Sequence, residues 1–191
     1  MKEIALHLLD IAENSVAANA ETVILTVEED LRKDRLKVAV DDDGKGMDKS
    51  FLARVADPFC TTRTTRRVGL GIPLLKEAAE ACNGNLYITS APGLGTHLQA
   101  DFQRSHIDRM PLGDLPGTML TLVIAYSCIH WVFTYRANGV EFVFDDVLIK
   151  RELGNVPMTE PTILAFIREM LEEGVAEVQN AIEKAEWTPT R

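Results

Sequence analysis

Four separated pieces within the first hundred positions carry side chains capable of binding or reacting with a phosphorylated ligand. Asp10 and Asn14 stand four apart in a run whose apolar positions, Ile4, Leu8 and Ile11, recur at helical spacing. Both side chains therefore emerge on one helical face. An amide oxygen is a hard ligand suited to magnesium, which keeps several waters and takes few protein ligands. A carboxylate one turn earlier can orient or deprotonate a nucleophile beside a bound phosphate. The second piece is Asp41-Asp42-Asp43-Gly44-Lys45-Gly46-Met47, directly after a strand-like run. Asp42 at the strand end can accept a hydrogen bond from the amino group of a base, and Gly44 and Gly46 let the backbone turn close to it. A calcium loop is excluded, because the twelfth-position Glu and the flanking helix pair are missing.

The third piece runs from Asp57-Pro58-Phe59-Cys60-Thr61-Thr62-Arg63 through Arg66 and Arg67 to Gly69-Leu70-Gly71-Ile72. Glycine-rich backbone leading into a helix presents free N–H groups and a positive dipole end to phosphates. Threonine hydroxyls and arginines add donors that could close over a nucleotide. A dinucleotide fingerprint fails here, since its third glycine would fall at Leu74 and the segment follows a loop rather than a strand. No Gly-Lys-Ser/Thr follows the glycines either, so a Walker loop is absent. The fourth piece is Gly93-Leu94-Gly95-Thr96, which by itself is a hairpin turn. Each piece alone also reads as something ordinary: a solvated helix face, an acidic turn, a polar loop, a hairpin.

Together and in this order they resemble a known family. Glu13-Asn14-Ser15 is similar to the N box of the gyrase, chaperone, histidine-kinase and MutL superfamily, and Asp42-x-Gly44-x-Gly46 to its first glycine box. Asp57-Pro58-Phe59-x-Thr61-Thr62 resembles the histidine-kinase F box, Gly69-x-Gly71-Ile72 the second glycine box, and Gly93-x-Gly95-Thr96 the last one. The resemblance covers residues 1–102 and implies a two-layer α/β (α+β) sandwich of the Bergerat type, with a mixed sheet, helices on one face and ATP between helices and lid. It implies that Asn14 ligates Mg2+ and that Asp42 reads the adenine amino group. Gly44, Gly46, Met47, Gly69, Leu70, Gly71 and Ile72 would form the pocket, Thr61, Thr62 and Arg63 would sit at the phosphates, and Thr96 would hold a contact beside Asp42. Asp10 falls where MutL-like members carry a catalytic Glu, one methylene longer. His7 shares the face of Asp10 and Asn14 and reads as a polar group behind the site rather than a phosphoacceptor.

The helices and strands that hold these residues in place can be read from the pattern. Lys2 to Ala18 reads as a helix, Thr22–Glu28 and Arg35–Val40 as strands, and Ile72–Cys82 as a helix stopped by Asn83-Gly84. Asn85–Thr89 and His97–Phe102 are strands, and Asp48 can cap a short helix that ends before Pro58. From Gln103 to Gly117 the chain carries Pro111, Gly113, Pro116 and Gly117 and reads as a linker. Beyond it, residues 118–191 read as a small α+β region. Strands are expected at Leu120–Ala125, Ile129–Arg136 and Val140–Phe144, the last two joined by an Asn138-Gly139 hairpin. A short helix should run from Asp145 or Asp146 to Gly154, and a longer one from Pro161 to about Glu186. The apolar stretch Met119 to Tyr135 is better explained by two buried strands than by a membrane span, and Trp131, Phe133 and Tyr135 on one strand face read as core.

Composition narrows the function. The 191 residues carry a net charge of −9, with 12 basic and 16 acidic residues up to position 102 and 8 and 13 beyond it. Neither part offers the basic excess of a non-specific nucleic-acid binder. Three cysteines, Cys60, Cys82 and Cys128, show no CxxC spacing, which fits a reducing cytoplasm rather than a disulfide framework or zinc site. Cys60 lies among arginines and reads as an unreactive loop cysteine. With Asn14 so near the first residue, no dimerisation and phosphoacceptor helix pair is expected before it. The expected function is thus an ATP-binding signalling protein, a kinase or ATPase acting in trans on a protein partner from signalling or a redox complex. A MutL- or gyrase-like conformational ATPase, with Lys150 reaching the γ-phosphate, and a nucleotide-sensing module without turnover are the alternatives.

Overall fold

The computed structural model describes residues 2–57, 71–154 and 156–187. The expected F box from Pro58 onward, and Thr61, Thr62, Arg63, Gly69 and Leu70 with it, lie outside the described residues.

Helix α1 (Ile4–Ala17) buries Ile4, Leu8, Ile11 and Ala12 against the sheet, as its apolar spacing requires. Strands β1 (Thr22–Asp30) and β2 (Arg35–Asp42) form an antiparallel hairpin. Short helix α2 (Lys49–Leu52) is capped by Asp48, whose carboxylate accepts from the N–H groups of Ser50 and Phe51. Helix α3 (Gly71–Ala81) leads into β3 (Asn85–Ser90), which returns as β4 (Thr96–Gln103). Then come α4 (Leu115–Ala125), β5 (His130–Ala137), β6 (Val140–Asp145), α5 (Asp146–Leu153) and α6 (Pro161–Trp187). Asn138 and Gly139, at φ of 49° and 82°, make the tight turn between β5 and β6.

The strands form one mixed sheet in the order β3-β4-β2-β1-β5-β6. Only the β1–β5 pair is parallel, Val23 lying opposite Trp131 and Val27 opposite Tyr135. One face of the sheet, carrying Val23, Leu25, Val27, Val38, Val40, Leu98, Phe102, Trp131, Phe133 and Tyr135, is buried. On the other face Ile24, Tyr87 and Val143 remain exposed. This is the two-layer arrangement the resemblance implied, and the aromatic row of β5 is core.

The structure departs from expectation in two places. Leu120–Ala125 is helix, not strand. Asp114 accepts from the N–H of Gly117, Pro116 occupies the first turn, and the helix packs against both α1 and α6. A helix enclosed on several sides is apolar all round, so it shows no amphipathic period. The segment 103–117 is also not a spacer between two units. The N–H groups of Ile4 and Ala5 donate to the carbonyls of Pro111 and Leu112, and Met110 and Leu112 pack on the core. Arg104 donates to Glu29 at 2.6 Å, and the Tyr135 hydroxyl donates to the other oxygen of Glu29 at 2.7 Å. Residues before and after this segment therefore share one sheet and one core. Among the described residues no helix is long and apolar enough to cross a membrane.

Candidate functional site

The site begins where β2 ends. Asp42 continues the row Leu36, Val38, Val40, so its side chain comes up on the helical face of the sheet. There the Ser15 hydroxyl of α1 donates to Asp42 Oδ2 at 2.7 Å, and the N–H of Gly44 donates to Oδ1 at 3.0 Å. These two donors fix the carboxylate between helix and sheet. Its neighbour Asp43 turns the other way and accepts from the N–H groups of Glu21 and Thr22, tying the loop to the start of β1. Burial pushes the Asp43 carboxyl up, but those N–H donors outweigh it and hold the group below the usual carboxylate value.

Three glycines are needed where they stand. A Cβ on Gly44 would lie 2.9 Å from Ala18 Cβ. Gly46, at φ +65°, would bring a Cβ to 1.9 Å from the Ala91 carbonyl oxygen, and Gly95, at φ +75°, to 1.8 Å from that of Asp42. The two glycine loops thus press backbone to backbone. Ser90 joins them: its hydroxyl accepts from the Met47 N–H at 2.9 Å, donates to the Gly95 carbonyl at 2.7 Å and lies 3.0 Å from the Thr96 hydroxyl. Thr96 is directly opposite Asp42 across the β2–β4 ladder.

Asp10 and Asn14, both half-buried on α1, form the other side. Gly71 opens α3 so near Asp10 that a Cβ on it would stand 3.2 Å from Asp10 Cβ. Ile72 is half-buried and packs on the core beside it. The structure therefore brings Asp10 against Gly71 of the second glycine box, and Asp42, Gly46 and Met47 against the last box with its Gly95 and Thr96, while Gly44 packs on Ala18 at the end of α1. Asp10 stands at the mouth of α3 and Asn14 one helical turn further along α1, an oxygen pair of the hard type that magnesium takes. His7 is buried, only 2% exposed, and its Nδ1 has no hydrogen-bond partner among the described residues. Burial, aided by the N-terminal charge, holds its imidazole below the ordinary value, while the Asp10 carboxylate opposes that shift.

Sequence reasoning missed what Ser15 and Ser90 do. Ser15 belongs to the Glu13-Asn14-Ser15 run, which was the available signal; Ser90 is a strand-end serine with none. Lys150 does not point to this site as an unpaired cation. Its ammonium lies 2.7 Å from Asp146 and donates to the Ile129 carbonyl. It lines a separate cavity of about 370 Å³ with Ile124, Ser127, Leu153 and Met158.

Comparisons with known proteins agree with this geometry. Residues 1–106 match the model of the histidine kinase-, DNA gyrase B- and HSP90-like ATPase family. The chain is 42% identical over 89 residues to the sensor protein kinase FleS of Pseudomonas aeruginosa, a match covering 47% of this chain and 22% of that protein. It is 35% identical over 115 residues to the non-motile and phage-resistance protein of Caulobacter vibrioides, covering 57% of this chain and 14% of the other. The matches thus span about a fifth or less of the length of these relatives. Among solved structures, the N-terminal domain of a DNA repair protein superposes with a TM-score of 0.52 over 75% of this chain and 52% of that one. At 11% identity that likeness concerns the fold alone. With more than half its length matched, the chain belongs to the histidine kinase-, DNA gyrase B- and HSP90-like ATPase family.

Proposed function

We propose that this chain is a signalling ATPase of the histidine-kinase type, which binds Mg·ATP and passes the γ-phosphoryl to a partner protein. The observation that carries the reading is the joining of two glycine loops to α1 around one acidic acceptor, Asp42, itself held by Ser15 and Gly44. In this reading the free lone pairs of Asp42 accept the adenine amino group, and Gly44, Gly46, Met47, Thr96 and Ile72 wall the base. Asn14 holds Mg2+, which neutralises charge on the phosphates as they react. Thr61, Thr62, Arg63, Gly69, Leu70 and Gly71 supply hydroxyl, guanidinium and backbone donors to the phosphates. Asp10 accepts the proton of the attacking group as the bond from γ-phosphorus to the β–γ bridging oxygen breaks and ADP leaves.

Transfer in trans is supported by where the chain's four histidines lie. His7 is buried. His97 pairs with Asp41 at 2.6 Å and His130 with Asp145 at 3.0 Å, both on the open face of the sheet, away from Asp42. His106 lies past the far end of β4, beyond Gln103. None of the four presents an open imidazole to the helical face, so the acceptor belongs outside these residues. The conformational-ATPase alternative needs a lysine at the γ-phosphate, and Lys150 is engaged elsewhere.

Incubation of the purified protein with γ-labelled ATP, with and without cell extract, tests the reading. A partner from the extract should take the label while the protein alone releases little phosphate. Asp10→Asn should keep nucleotide binding and lower transfer about 10²–10⁴-fold. Rapid phosphate release by the protein alone would favour the clamp-type reading, and no chemistry in either arm would leave a nucleotide sensor.

A further inference from the structure

Where β6 hands over to α5, His130, Asp145 and Asp146 each bring one ligand atom to within 4.8 Å of the others. We propose that this cluster is a second metal site, separate from the nucleotide pocket, for a divalent first-row transition ion such as Zn2+. Three observations carry it. The first is chemical: one imidazole nitrogen and two carboxylate oxygens suit zinc and its neighbours better than magnesium, which prefers oxygen alone. The second is geometric. His130 Nε2 and Asp145 Oδ1 are 3.0 Å apart, close to the edge of about 3.3 Å that ligands on a tetrahedral zinc require. His130 and Asp145 are half-exposed, so water can fill the fourth position.

The third concerns Asp146, which is 0% exposed and meets the Lys150 ammonium at Oδ2. Buried carboxylates are found paired or on metals, because stripping water from an isolated charge is too costly. Lys150 lies 2.7 Å from Oδ2 and offsets one charge. Asp145 and Asp146 together bring two negative charges against that single ammonium, so a net negative charge remains for a dication. The backbone holds the cluster in register: His130 begins β5, and Asp145 closes β6 opposite Val132 and caps α5 through the Val147 N–H.

The test uses the full chain, stripped of metal by a chelator and titrated with Zn2+ while the histidine ring nitrogens are monitored by NMR. The first equivalent should move the His130 resonances and leave those of His97, although His97 also pairs with an aspartate on the same sheet face. By calorimetry His130→Gln and Asp145→Asn should each weaken Zn2+ binding at least about tenfold, and His97→Gln should not. An excess of Mg2+ should not displace the ion. No Zn2+ binding, a first shift at His97, or equal affinity in His130→Gln would overturn the proposal.

Discussion

The proposed chemistry rests on single residues and on what holds them. Asp42 is not a free acid at a strand end: the Ser15 hydroxyl and the Gly44 N–H orient it before any base arrives. That preorganisation makes Ser15→Ala informative. Loss of a hydrogen bond to a charged group costs about 1.5–3 kcal/mol, and part of this should appear as weaker ATP binding in the variant. His7 gives a prediction of another kind. Its folded imidazole resists protonation, whereas the unfolded one takes a proton near 6.5. The stability linked to it is therefore present above pH 6.5 and is lost as pH falls from there toward the lower folded value. Denaturant titrations of the unmodified protein should show this decline, and His7→Gln should flatten it. An identical slope in the two proteins over that range would contradict the burial argument. The candidate positions Asp10, Asn14 and Asp42 could be picked out in the sequence only as a set, by type, spacing and order. Ser90 could not, because its three partners, Met47, Gly95 and Thr96, meet only after two loops fold together.

Among the elements, the pocket depends on loops packed backbone against backbone. Gly95→Ala would place a methyl carbon 1.8 Å from the Asp42 carbonyl oxygen, at a φ of +75° that L side chains rarely adopt. The β2 and β4 ends would have to separate, so ATP binding should fall at least about tenfold, with a stability loss of about 1–3 kcal/mol. Gly93→Ala is the control, since a Cβ there meets nothing within 4 Å; its positive φ alone should give the smaller effect. Equal binding by the two variants, measured by calorimetry, would show that loop contact is not what shapes the pocket. Most elements were visible in the pattern: every element except α4 appears close to where the sequence put it. The failure at α4 has a physical cause. Met119, Leu120, Leu122 and Val123 are all buried between α1, α6 and the sheet, so the run lacks the polar stripe that marks a surface helix.

For the molecule as a whole, the parallel pairing of β1 with β5 was not legible, because no local signal reports which strand a distant one will join. Its consequence is that the matched family region, residues 1–106, does not cover its own core. Removing residues 107–191 would open the edge of β1 and strip Tyr135 from Glu29, which would be left with Arg104. A fragment of residues 1–106 should therefore melt without a cooperative transition, whereas the full chain should unfold sharply. A sharp transition with full ATP affinity in the fragment would contradict this. The whole reading turns on an adenine held by Asp42, and calorimetry with ATP and with ITP, which lacks the exocyclic amino group, decides it. ATP should bind about ten- to a hundredfold more tightly than ITP to the unmodified protein, and Asp42→Ala should abolish the difference while the chain stays folded. Equal affinities for ATP and ITP in the unmodified protein, or an undiminished preference in Asp42→Ala, would contradict adenine recognition by this carboxylate.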